Sequence, residues 1–269
     1  MKIRFLAPFI WLAALAGIAL RTAQLYFFFD STTGFLHDSG LFSILLVVLA
    51  IASALIPALY MRRHELIYTE PQPQPEAGAG AILAAAGTLA AALLDIRQLL
   101  ASGSLASFAA VLVADGLMLI PLCALAAGHF RGESLFNGHT ALGLLPILSL
   151  GIRAVYLFAV YTPTNSSFVN LLNLCALACQ TAFFCSLAYL ATDGEEPPRL
   201  SLLLCGSAAA VIGLAASVPQ LICLALARPC PASADTSHLL QTAALSAYAL
   251  FFLPSLRVKQ PNFGRRFRV

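Results

Sequence analysis

Five ionisable residues, Arg21, Asp95, Arg97, Asp115 and Arg153, stand inside or at the ends of long apolar runs. A charge at the centre of a bilayer costs roughly 2.5–3.5 kcal/mol on insertion scales, so it faces protein or water and marks a candidate site. Near the headgroups the cost shrinks, because a long side chain can snorkel outward. Asp115, in "VLVADGLMLIP", has the shortest side chain and the deepest position. It must find a donor, a cation or a proton. Arg21 and Arg153 are candidate cations facing an outward-open pocket, and Arg97 is a third.

The expected solute-binding set is therefore Arg21, Arg97, Asp115 and Arg153. The arginines would complement a small polar or anionic solute, and Asp115 would serve as the coupling or pairing carboxylate. Asp95, Gln98 and Gln220 are expected to pair helices. Asp95 and Arg97, in "LLDIRQLLASG", are two residues apart and so point to different sides of a helix. Asp95 should then meet a cation on another helix, while Arg97 can snorkel.

Other chemistry is poorly supplied. The histidines (His37, His64, His129, His139 and His238) fall at span ends or in loops, with no HExxH pattern. "ASGS" at 101–104 lacks the GxSxG frame, and there is no Gly-rich phosphate loop. The seven cysteines show no CxxC spacing, and six lie in apolar segments, where cysteine is a small hydrophobe. No enzyme activity, metal or cofactor is expected. The net charge of +3 comes from basic residues at span ends and in the tail, so nucleic acid is not an expected partner.

The elements that must position these groups follow from composition. Of 269 residues, 60% are hydrophobic and only 10% charged, against about 25% charged in a soluble domain. The apolar residues form blocks of roughly twenty, the length of a helix crossing a bilayer. The chain is expected to be an all-α, multi-pass integral membrane protein. Eight spans are predicted, near 5–27, 41–61, 80–101, 106–128, 141–161, 168–191, 201–227 and 239–256. The first has the basic-then-apolar order of a signal peptide, but apolar character runs on to Phe29, so it is read as an uncleaved span.

Eleven of the 15 basic residues fall on one side of this arrangement, including the tail "RVKQPNFGRRFRV" at 257–269. By the positive-inside rule both termini are cytoplasmic. The expected setting is a bacterial cytoplasmic membrane, with the lipid bilayer as first partner and a homo-oligomer or another membrane protein as a second. The Pro/Gln-rich loop at 66–80 should be extended and solvated.

A faint repeat is also visible. An arginine precedes an aromatic stretch and a Thr/Ser loop at both Arg21 and Arg153. The third and seventh spans share a small-residue texture followed by a polar break. The expected plan is a 4+4 tandem, parallel repeat, with four-helix units at 1–135 and 136–269. The expected function is a carrier or permease-like protein. The rival is a non-transporting scaffold or regulatory subunit that binds membrane proteins or lipids.

Overall fold

The computed structural model describes residues 6–30, 33, 36–37, 40–61, 66–67, 73–102, 105–133, 136, 139–161, 168–191, 199–229 and 235–258. These form eight α-helices: α1 (Leu6–Phe28), α2 (Leu41–Met61), α3 (Pro75–Ser102), α4 (Leu105–Arg131), α5 (Thr140–Tyr161), α6 (Phe168–Leu190), α7 (Arg199–Ala225) and α8 (Thr236–Phe252). Seven are long and apolar enough to cross a membrane. The eighth, α8, has 17 residues and runs into a 3-10 turn at Leu253–Ser255, where Pro254 ends the α-helix. The architecture is a multi-pass helical membrane protein, as composition requires.

Two boundaries differ from the sequence expectation. Helix α3 starts at Pro75, inside the stretch expected to be loop. Proline at the first helical position sacrifices no hydrogen bond, and Glu76 in the first turn favours the helix dipole. The same linker contributes Leu66–Ile67 to a two-residue antiparallel pairing with Arg257–Val258, at the start of the basic tail. Helix α8 begins at Thr236, three residues before the predicted span, and so takes Ser237 and His238 into the bundle. Cys230, His64 and tail residues 259–269 lie outside the described residues.

Helices α3 to α8 pack against one another in chain order, and α8 closes the ring on α3. Helices α1 and α2 lean on α7 and on each other. Contacts therefore cross the expected boundary at 135: α3 lies along α8, and α1 and α2 lie along α7. The halves are not separate packing units. Small residues explain the close approach, since helices in lipid associate through tight van der Waals contact. The inward stripe of α3 reads Ala77, Ala81, Ala84, Thr88, Ala91 and then Asp95, all buried. Outward leucines, isoleucines and valines, such as Ile44, Val48 and Leu55 of α2, are exposed and suit lipid.

A Cβ on Gly87 of α3 would fall 2.3 Å from the Ala244 Cβ of α8. Gly151 of α5 faces open space. Gly87→Ala should therefore lower stability by about 1–3 kcal/mol, the usual cost of overpacking. Gly151→Ala should be close to neutral. Thermal melting of the detergent-purified variants checks the difference.

Candidate functional site

The inner stripes of α3, α4 and α5 each bring one charge to the same level of the bundle. Asp95 ends the alanine stripe of α3. Asp115 follows Val111 and Ala114 on α4, and Arg153 follows Ser149 and Leu150 on α5. The Arg153 Nη2 donates to Asp115 Oδ1 and, at 3.4 Å, to Asp95 Oδ2. All three side chains are at most 2% exposed. One guanidinium therefore joins two carboxylates from two other helices.

Helix α8 completes the cluster. Gln241 Nε2 donates to Asp115 Oδ1 at 3.1 Å, and the Ser237 hydroxyl donates to the Asp95 carboxylate. His238 Nε2 is 3.4 Å from Thr242 Oγ1, one turn further along α8. Asp235, at the N-cap position of α8, makes no side-chain capping bond; its Oδ2 accepts from Tyr156 Oη of α5 at 3.1 Å. A single nitrogen, Arg153 Nη2, thus brings carboxyl oxygens of Asp95 and Asp115 together. Asp115 Oδ2 is buried and has no donor among the described residues.

The charge balance follows directly. With both acids ionised, two carboxylates would face one guanidinium among the described residues of this cluster, an excess of one negative charge at a buried site. A bound proton or a small cation would neutralise it.

The expected solute-binding set is only partly gathered. Asp115 and Arg153 meet, and Asp95, expected to pair helices, joins them. Arg97 is exposed on the outer surface of α3, two residues beyond Asp95. Arg21 is fully buried but sits in a different corner. Its Nη1 donates to Gln24 Oε1, and Gln24 Nε2 reaches Ser43 Oγ of α2 at 3.1 Å. Gln98 is half-buried, whereas Gln220 is buried and donates to the Ala216 carbonyl of its own helix at 2.8 Å.

Asp235, Ser237, His238 and His129 were missed. Both histidines do fall at helix ends, His129 in the last turn of α4 and His238 in the first turn of α8, but they are buried there. The legible signal was the spacing of Ser237, His238, Gln241 and Thr242, which share one side of α8 once the helix is extended by a turn.

Arg153→Gln should destabilise strongly, by about 3–5 kcal/mol, because it strands two buried carboxylates. Asp115→Asn leaves the charge-balanced Asp95–Arg153 pair and should cost much less. Melting temperatures of the two variants in the same detergent check the order. The chain matches no family model, no curated protein and no solved structure.

Proposed function

We propose that this chain is a membrane carrier for a small polar solute, coupled to a proton or small cation at the Asp95–Arg153–Asp115 cluster. One observation carries the reading: a single buried guanidinium is shared by two carboxylates from separate helices. A structural bridge needs only one acid to neutralise Arg153. The second acid costs stability unless something else is bound, and that something is the coupling ion.

The geometry moves the reading away from an anionic solute. That expectation rested on Arg21, Arg97 and Arg153 facing one pocket, and only Arg153 belongs to the cluster, already paired. The Lys/Arg distribution supports cytoplasmic termini. With that orientation the cluster lies in the outer half of the bundle. The shared texture of α3 and α7 supports a tandem origin, although the helices pack as one body.

Cysteine accessibility distinguishes a carrier from a scaffold. With the seven native cysteines replaced, Ser237→Cys and Gln241→Cys should react with a membrane-impermeant thiol reagent added from outside right-side-out vesicles. Complete protection of both positions in intact membranes, with labelling restored on unfolding, would favour the scaffold.

A further inference from the structure

We propose that the cavity where α3 begins and α8 ends binds the headgroup of a phospholipid carrying a primary amine, such as phosphatidylethanolamine. The site lies at the opposite end of α8 from the Asp95–Arg153–Asp115 cluster and does not depend on the coupling reading. The cavity measures about 130 Å³. An engineered apolar cavity of about 150 Å³ holds benzene, so there is room here for the ammonium and the two carbons of an ethanolamine head.

Its position is that of a headgroup. The membrane-spanning part of α3 starts at Pro75, and α8 gives way to the 3-10 turn Leu253–Ser255 at the same end. Gln74 N donates at 2.8 Å to the carbonyl of His129, in the last turn of α4, which ties the entry of α3 to a third helix end. Trp11, in the second turn of α1, packs edge-on against Phe251 of the cavity wall, with ring centroids 5.4 Å apart. Tryptophan concentrates at the headgroup level of a bilayer. Beyond this level Leu12, Leu15, Ile82 and Leu83 are exposed and offer an apolar surface to acyl chains.

The walls select the ligand. The floor is the fully buried Ala77, and the rim carries the exposed Pro73, Pro75 and Glu76. Pro73, Pro75 and Pro254 have no N–H to donate, and the Gln74 N–H is already used on His129. Acceptors are plentiful by contrast. Gln74 Oε1 and Ser255 Oγ are both buried, and neither has a hydrogen-bond partner among the described residues. A buried polar atom left unpaired is costly, so this pair calls for a donor. The Glu76 carboxylate adds a negative charge beside them. These three acceptors match the three N–H donors of a primary ammonium.

Other headgroups fit less well. A quaternary choline has no N–H to give and seeks an aromatic cage, whereas the lining residues include one ring, that of Phe251. A purely anionic head meets Glu76 and no cation among the lining residues. The first-turn N–H groups of α3, which lack intrahelical acceptors, suit the phosphate that follows the amine in the lipid.

The test uses the purified, delipidated full chain in detergent, with native mass spectrometry to count the lipid retained. Phosphatidylethanolamine, its N-monomethyl and N,N-dimethyl derivatives, phosphatidylcholine and phosphatidylglycerol, all with the same acyl chains, are offered at equal concentration. Retention should fall with each added methyl group, and phosphatidylcholine and phosphatidylglycerol should stay at the nonspecific level. Glu76→Gln and Ser255→Ala should each lower phosphatidylethanolamine retention about tenfold, the size of one charge-assisted hydrogen bond. Glu133→Gln removes a carboxylate at the same end, from the exposed pair with Arg131, and should leave retention unchanged. Equal retention of the ethanolamine and choline lipids, preference for phosphatidylglycerol, wild-type retention in Glu76→Gln, or an equal loss in Glu133→Gln would overturn the site. Displacement of the lipid by soluble phosphoethanolamine at matched concentration would overturn the lipid as its occupant. The methylation series is read on the wild-type chain, so it decides the matter even where a variant fails to fold.

Discussion

Arg153 is the residue on which the arrangement depends. A guanidinium cannot shed its charge at ordinary pH, so burial obliges the fold to surround it with acceptors. Asp95 and Asp115 answer that demand from α3 and α4, and Gln241 ties Asp115 to α8. Four helices of the ring are thereby held at one level by charge-assisted hydrogen bonds, which are stronger than neutral ones. Bringing a second acid to the same cation makes the level negative overall. The proposed coupling role rests on that imbalance.

Packing and polarity cooperate to build it. The alanine stripe of α3 brings its backbone close to α8, closely enough that Gly87 has no room for a methyl group beside Ala244. Ser237 and Gln241 can then reach Asp95 and Asp115 without long side chains. Similarly, a Cβ on Gly213 of α7 would fall on the Ser246 hydroxyl that Gln180 holds. Small residues in this bundle therefore determine which polar groups can meet, besides letting helices approach.

Much of this was legible in the sequence. Apolar runs gave the helices, and the cost of a mid-membrane charge singled out Asp115. Helix geometry sent Asp95 inward and Arg97 outward, since two residues along a helix turn the side chain away from its neighbour. Pairing of the acids with a cation from another helix was legible, but not that Arg153 rather than Arg21 or Arg97 would take both; Tyr156 with Asp235, and His129 with Tyr248, which is 119 residues away, could not be read at all. Spacing within one helix shows which face a residue occupies but not which helix covers that face. Arg21 and Arg153 look equivalent along the chain, yet Arg21 joins Gln24 and the α1–α2 corner. The start of α8 was placed late because Asp235 and Ser237 read as loop, when they belong to the polar end of a buried helix.

The central claim is that the Asp95–Asp115 pair accepts a proton beside Arg153. A hydrophobic carbodiimide attacks only protonated carboxyl groups, so peptide mapping of treated membranes by mass spectrometry reads that state directly. The account predicts modification of Asp95 or Asp115 that declines as the pH is raised and disappears at the pair in Asp95→Asn/Asp115→Asn. A pair that stays unmodified at every pH at which the fold survives, while added model carboxyl groups in the same membranes react, would contradict it.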